Sequence, residues 1–432
     1  AGVTVLIYEQ TCAAEKRRRR KKGALPDPPR RLFINEAVCE GCGDCSVQSN
    51  CVAVLPHETR LGRKRQIDQT NCNKDYSCAK GFCPSFVGVT GGALRKKGGV
   101  LAAGREDFAR HVDALAHPAA HAWTAPYDLL VTGVGGTGVV TVGAVIAMAA
   151  HLEGKSASVL DFMGFAQKGG AVLSFVRLAD TPQRLNQVRI DTQQADAILA
   201  CDVVVGATPE ALQAVRRGRT RILANTHPIP VAESLHNPDA DLRIEQLLEK
   251  MRFAAGPEQV QTFDAQSLAQ EFLGDTLAAN ILAVGYAWQC GLIPLSLEAL
   301  TRAIELNAVA VETNLLAFSL GRLAAAEPAA VDGLRGGLEA QAQDESLDAL
   351  IAHARAHLTA YQNAAWAQRF ESRIRALAQR EQLLAGGDRS LPVSRNAARS
   401  LLRLMSYKDE YEVARLYSAK DFREQLAEQF EG

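Results

Sequence analysis

The chain has 432 residues, 47% hydrophobic and 22% charged, with 48 basic and 48 acidic side chains and no formal net charge. That length suits about two to four domains, and the neutral balance gives no global field for nucleic acid or a membrane surface, so neither is expected as a partner. The nine histidines are scattered, and no Ser/His/Asp or Cys/His triad is visible.

Residues 1–8, AGVTVLIY, are apolar, but the basic run follows them, the wrong order for a signal peptide. They are predicted as a buried strand, and a chain that opens inside a strand is expected to be an internal piece of a longer protein. Residues 16–22, KRRRRKK, could dock an acidic partner or nucleic acid. With no interleaved aromatics to stack on bases, the run is predicted as a solvated linker over residues 1–31, stiffened at Pro26, Pro28 and Pro29.

Residues 32–95 are rich in Gly, Asn and polar turn residues and hold seven of the ten cysteines. Such a segment buries little apolar area and is expected to need a metal to fold. Clustered cysteines without a secretion signal point to metal rather than disulfides, and to a reducing, cytoplasmic compartment. Cys12, Cys201 and Cys290 stand apart and are predicted as buried apolar thiols.

The first cysteine group is Cys39-x2-Cys42-x2-Cys45, then Cys51; the second is Cys72-x2-Asp75-x2-Cys78, then Cys83-Pro84. Three thiolates at two-residue gaps can wrap a corner of a cubane, and Gly41 and Gly43 give that loop torsional freedom. In the bacterial ferredoxin run the fourth cysteine serves the other cluster. The crossed assignment gives Cys39, Cys42, Cys45 and Cys83 to cluster one. It gives Cys51, Cys72, Cys78 and Asp75 to cluster two, where the carboxylate is a harder donor for iron. Cluster two could be a cubane, a three-iron cluster or absent. A structural zinc site is the competing reading, but zinc favours two ligand pairs around one ion, so one or two 4Fe-4S clusters are preferred.

Residues 96–126 are predicted as a linker with one short helix. From Tyr127 short apolar strands alternate with helices. Strands are predicted at residues 128–132, 157–161, 171–177, 202–206 and 221–224, and helices at 138–152 and 210–216. Residues 129–150 are uncharged enough to raise a membrane span, but their glycines read as a strand–turn–helix. The alternation predicts a doubly wound α/β domain over residues 127–328. Residues 329–432 read as an amphipathic helical region. The expected fold class is multidomain, α/β and α+β: a ferredoxin-like iron–sulfur segment, the doubly wound domain and the helical region.

Gly133-Val-Gly135-Gly136-Thr137-Gly138 matches G-x-G-x-x-G between a strand and a helix, and Asp161 ends the next predicted strand. Backbone N–H groups there could receive a pyrophosphate and Asp161 a ribose hydroxyl, which suits an NAD(P)- or flavin-linked oxidoreductase. The same glycines could equally serve close packing. Lys168, Gly169 and Gly170 form a second glycine turn in which the lysine could pair with phosphate.

The cysteine segments CEGCGDCSVQSNC and CNKDYSCAKGFCPSF, with GVGGTGVVTVGAVIAMAA, DFMGFAQKGGAVLSFVR and LMSYKDEYEVARLY, resemble the large fused indolepyruvate:ferredoxin oxidoreductases. These belong to the thiamine-diphosphate-dependent 2-oxoacid:ferredoxin oxidoreductase family. The likeness runs nearly end to end; residues 5–23 resemble the close of the family's thiamine-binding domain. It implies oxidative decarboxylation of an aryl-2-oxoacid, acyl transfer to coenzyme A, and single electrons leaving through 4Fe-4S clusters to ferredoxin. It also implies that residues 127–328 are a gamma-type catalytic partner. There Gly133, Gly135, Gly136, Thr137, Gly138, Lys168, Gly169 and Gly170 serve a coenzyme A phosphate or packing, not a nicotinamide. No GDG thiamine fingerprint is present. Thiamine diphosphate and Mg are therefore expected on upstream domains of the same longer chain, in a homo-oligomer, and this chain alone is expected to be inactive.

Overall fold

In the computed structural model the chain forms two compact units: residues 1–95 with 339–432, and residues 96–234 with 240–338. The structure describes all residues except 1, 22, 60–61, 70, 96–98, 103, 164–169, 228–241, 336–345 and 385–389. No helix among the described residues is long and apolar enough to cross a membrane.

In the first unit four strands frame the cysteines: Arg30–Ile34 (β1), Val54–Thr59 (β2), Gly62–Ile67 (β3) and Phe86–Thr90 (β4). β1 pairs antiparallel with β4, and β2 with β3. The core they enclose is small: Leu32, Ile34, Val54 and Ile67 with the thiols of Cys39 and Cys78. A short strand, Ala93–Leu94 (β5), pairs with Phe430–Glu431. The C-terminal region is helical, as predicted. Helices Leu347–Tyr361, Ala364–Leu384 and Pro392–Met405 close over Ile351, Leu358, Phe370, Ile374 and Leu402. Helices Glu410–Ser418 and Lys420–Gln429 follow, the first capped by Asp409 through the Glu412 N–H at 2.8 Å.

Three expectations for this unit are corrected. Residues 2–8 are not a strand, and Val3, Leu6 and Ile7 are almost fully exposed. A β-forming run becomes a strand only where a neighbour completes its hydrogen-bond ladder, and no described residue does so here. The basic run is not a loose linker: Ala13–Lys21 is a helix. Straight-chain Lys and Arg favour helix, Glu15 and Arg19 pair one turn apart at 3.0 Å, and the cysteine-bearing loop offers carbonyls to the arginines. Cys12 is exposed, because it leads into that helix outside any core.

The second unit is built on a six-stranded sheet: Tyr127–Val134 (β6), Ser156–Met163 (β7), Ala171–Ala179 (β8), Ala197–Ala200 (β9), Arg221–Asn225 (β10) and Val260–Phe263 (β11). The order is β11-β10-β9-β6-β8-β7. β6, β9, β10 and β11 run parallel, and β8 runs antiparallel between β6 and β7. Continuous apolar runs in β6 and β9 fit strands covered on both faces. Helices Val139–Leu152, Ala279–Gln289 and Leu297–Leu306 cover one face, around Leu129, Val131, Ile146 and Leu300. Helix Ile244–Ala255 covers the other, around Leu130, Ile198, Ile222 and Met251. This is the doubly wound α/β arrangement the sequence predicted. The stretch predicted to link carries helix Arg105–Asp113 and buries Leu101, Phe108 and Leu115 in the same unit.

Residues 202–206 are not the predicted strand but the short helix Val203–Gly206. The Cys201 N–H donates to the Thr132 carbonyl at 2.8 Å, closing the last rung, and the Asp202 carboxylate then caps Val205 at 2.9 Å. The helix predicted at 210–216 shrinks to Pro209–Leu212. Helices Ala279–Gln289 and Val311–Ala326 touch backbone to backbone. A Cβ at Gly285 would run into the Phe318 carbonyl, and one at Gly321 into the Leu282 carbonyl. Gly285→Ala or Gly321→Ala should therefore lower stability by about 1–3 kcal/mol through overpacking, read as a drop in the thermal unfolding midpoint. An unchanged midpoint would show that the pair can separate freely.

Candidate functional site

The two cysteine loops share one backbone pattern. In the first, Gly41 and Gly43 take left-handed conformations at φ 70° and 84°, and the Gly41 N–H points at the Cys39 sulfur at 3.4 Å. In the second, the same offsets carry Lys74 and Tyr76 at φ 53° and 60°, and the Lys74 N–H points at the Cys72 sulfur at 3.4 Å. Cys39 thus corresponds to Cys72, Cys42 to Asp75, and Cys45 to Cys78. A left-handed turn opens a short helix after each loop, at Gly43 and Tyr76. For Lys74 and Tyr76 this backbone costs on the order of 1 kcal/mol each, a strain that glycine relieves in the first loop.

Cys45 lies within electrostatic reach of Cys39 and Cys83, and Cys78 of Cys51 and Cys72, while Cys42 is exposed. Burial, then Cys39 and Cys83, push the Cys45 thiol up to about 11, while Arg65 opposes them. Burial, then Cys51 and Cys72, push the Cys78 thiol up to about 12, with Cys45 and Asp75 adding to it. Thiols that raise one another in this way are poor free thiols and apt iron ligands, because a bound cation relieves the repulsion. Cys39, Cys42, Cys45, Cys72, Cys78 and Cys83 form no disulfide. Asp75 is exposed, and its Oδ1 accepts from the Ser77 N–H at 3.2 Å and hydroxyl at 3.0 Å. Among the described residues no three His, Cys, Asp or Glu side chains converge on a single-ion site.

Cations surround both loops. Lys64 is buried and its Nζ donates to the Cys39 carbonyl at 2.8 Å. Arg65 is fully buried, with a guanidinium nitrogen 3.1 Å from where a Cβ on Gly43 would stand. At the second loop Arg17 donates to the Asn71 carbonyl at 3.0 Å and Arg20 to the Asn73 carbonyl at 2.6 Å. Lys74 pairs with Asp27 at 2.5 Å. Sequence reasoning missed this layer: the basic run carried the signal, but its target lies 53 or more residues away.

In the second unit the glycine loop sits at the carboxyl edge of β6. A Cβ on Gly133 would stand 2.6 Å from Val139 Cγ2 and 3.2 Å from Cys201 Cβ, so this glycine serves strand–helix packing. Gly136 and Gly138 are left-handed at φ 88° and 101°, and Gly138 opens helix Val139–Leu152. The Gly135 N–H donates to the Gly170 carbonyl at 2.7 Å, tying the glycine loop to the residue that precedes β8. The Asn280 amide donates to the Thr137 carbonyl at 2.9 Å. Lys168 and Gly169 lie outside the described residues. Asp161 lies on the edge strand β7, separated from β6 by β8. A dinucleotide's ribose is read from the strand adjacent to the glycine turn, so the Asp161 expectation is corrected.

Asp202 was missed, read as part of a strand. It is fully buried beside this loop, with Oδ1 capping Val205 and Oδ2 without a hydrogen-bond partner. Burial holds its carboxyl up at about 6, against the ordinary 3.8. The folded state therefore keeps this proton more tightly than the unfolded chain. Its contribution is present in full below about pH 4 and is lost as pH rises to about 6, a decline on the order of 3 kcal/mol. Asp202→Asn keeps the cap and should flatten that decline, measured as the urea midpoint from pH 4 to 7. Parallel profiles for the two proteins would reject burial as the cause.

Residues 128–324 match the family described as pyruvate ferredoxin/flavodoxin oxidoreductase, and residues 347–432 match a family of unknown function, DUF6537. Neither match includes the cysteine loops. The indolepyruvate oxidoreductase subunit IorB of Pyrococcus horikoshii is 30% identical over 212 residues, 46% of this chain and 96% of that protein. The common gamma subunit of the pyruvate/ketoisovalerate oxidoreductases of Pyrococcus furiosus is 30% identical over 173 residues, 40% of this chain and 82% of that one. Among solved structures, the gamma subunit of a keto/oxoacid ferredoxin oxidoreductase from Geobacter sulfurreducens is 24% identical, covers 46% of this chain and 98% of its own, and gives a TM-score of 0.33. Because it covers nearly the whole of a relative at 30% identity, the chain belongs to the 2-oxoacid:ferredoxin oxidoreductase family.

Proposed function

We propose that the chain is the electron-transfer and catalytic-partner portion of a thiamine-diphosphate-dependent enzyme that oxidatively decarboxylates indolepyruvate or a related arylpyruvate. Coenzyme A takes the acyl group and ferredoxin takes the electrons. Thiamine diphosphate and Mg belong to upstream domains of a longer, homo-oligomeric cytoplasmic protein. Residues 32–95 are the cluster-bearing segment and residues 127–328 the partner domain.

The observation that carries this reading is the repeated loop: two cysteine sets on one left-handed backbone pattern, each with a backbone N–H aimed at its first sulfur. The donor set suits iron–sulfur chemistry, which when bound supplies reversible one-electron uptake. Cys39, Cys42, Cys45 and Cys83 would hold cluster one; Cys51, Cys72 and Cys78, with Asp75 at the fourth corner, would hold cluster two. Lys64 and Arg65 balance thiolate charge at the first loop. In the partner domain Gly136 and Gly138 leave backbone N–H groups at the start of a long helix for a coenzyme A phosphate, while Thr137 holds the loop by donating its N–H and hydroxyl to the Val134 carbonyl and Gly135 and Gly170 brace the turn; Lys168 and Gly169 belong to the same site in this reading.

The test is turnover. The chain alone, given indolepyruvate, coenzyme A and oxidised ferredoxin, should reduce no ferredoxin. The complete protein with its thiamine-binding domains should do so, only when coenzyme A is present. Turnover by the chain alone, or dependence on NAD instead of ferredoxin, would overturn the assignment.

A further inference from the structure

The helical segment that follows residue 346 matches a family with no assigned function, yet within its own unit it converges on the first cysteine loop. Lys408 Nζ lies 3.3 Å from the Cys39 carbonyl, 3.4 Å from the Val38 carbonyl and 2.6 Å from Glu40 Oε1. Arg403 donates to Glu40 Oε2 at 3.1 Å and to the Glu40 carbonyl at 3.2 Å. The Tyr417 hydroxyl donates to the Pro84 carbonyl, beside Cys83. Gln425 donates to Glu36 at 3.1 Å, and the rings of Phe422 and Phe430 lie tilted and edge-on to Phe33 on β1, at 6.4 and 6.3 Å. These contacts bracket both ends of the set proposed for cluster one.

The charges there do not balance. Lys64 and Lys408 share one acceptor, the Cys39 carbonyl, and both are largely buried. With Arg403 they crowd on Glu40, and Glu36, which also feels Lys64, is paired with His57. Two ammonium groups on one carbonyl repel each other in a medium that screens poorly. A net negative charge close by resolves the conflict, and an iron–sulfur cluster on four thiolates carries one.

We infer that residues 391–432 are a clamp for cluster one, and that Lys408 is a positioning residue whose fixed charge sets how readily that cluster accepts an electron. This rests on the proposed function, because it presumes a cluster on Cys39, Cys42, Cys45 and Cys83. The contacts described for this clamp fall on the first loop and on Pro84 beside Cys83, so the effect is read on cluster one.

The experiment compares full-length, anaerobically prepared wild type with Lys408→Met, Lys408→Arg and Glu40→Gln. Each is assayed for iron and acid-labile sulfide. The reduced fraction of cluster one is then read by low-temperature electron paramagnetic resonance at the wild-type midpoint potential. Lys408→Met should keep its iron while its reduced-to-oxidised ratio falls about tenfold, and Lys408→Arg should restore it. Glu40→Gln, which removes a negative charge at the same place, should move the ratio the opposite way. A ratio unchanged in both Lys408→Met and Glu40→Gln overturns the inference while leaving the cluster itself intact. If Lys408→Met fails to fold, Glu40→Gln alone decides by the sign of its shift. Absence of iron from the wild type is a different failure, that of the proposed function.

Discussion

Cys45→Ala should remove close to half the iron and sulfide of a two-cluster protein, about four of about eight irons, and all of it if only cluster one is present. Cys45 lies within electrostatic reach of both Cys39 and Cys83, its partners in the crossed assignment. The crossed assignment makes this sharper. Cys83→Ala should abolish the same paramagnetic signal as Cys45→Ala, although the two stand 38 positions apart in the sequence, and leave the other signal intact. Cys51→Ala and Cys78→Ala should act together on the second signal. Cys201→Ala serves as the control: that thiol is fully buried against Gly133 in the other unit and should leave both signals untouched. Pairing of Cys45 with Cys51 instead would mean that each group binds its own cluster.

Stripping the iron should unfold the front of the molecule. Among the described residues four aliphatic side chains, Leu32, Ile34, Val54 and Ile67, cluster as the core of the β1–β4 segment, with two buried thiols completing it and Val38 and Ala53 buried apart from the cluster. Against this stand the ordering entropy of some sixty residues and the strained backbone of Lys74 and Tyr76. The rings of Phe422 and Phe430 add cover, but a core this size falls well short of self-sufficiency. Chelation under mild oxidation should open residues 32–95 to trypsin, while residues 127–324, built on a six-stranded sheet covered on both faces, stay protected. Equal protection of the front segment with and without iron would show that it folds on protein contacts alone.

The torsional freedom of the first cysteine loop was legible because its information is local: Gly41 and Gly43 stand in the sequence where the backbone turns left-handed. The strands at Leu129, Val159 and Ile222 were legible for the same reason, as apolar runs bounded by turns. What escaped was set at long range. Nothing near Asp161 announces that β8 will insert between β6 and β7, and that insertion undoes the dinucleotide geometry the glycine motif implied. Val3, Leu6 and Ile7 have strand composition without a ladder to join. The left-handed turns at Lys74 and Tyr76 were hidden because neither residue is glycine; only their offset match to Gly41 and Gly43 reveals them. Lys408 and Glu40 meet across 368 positions of sequence, beyond the reach of any motif.

The central claim is that sulfur ligands between Cys39 and Cys83 grip iron in a form able to pass single electrons. Chemical analysis of iron and acid-labile sulfide in anaerobic protein, with low-temperature electron paramagnetic resonance after dithionite reduction, addresses it directly. The account predicts brown protein with about eight irons, or about seven if Asp75 leaves the second cluster one iron short, with about eight acid-labile sulfides in either case and a signal that appears on reduction. A colourless protein carrying zinc, or one whose thiols are paired as disulfides, would contradict it.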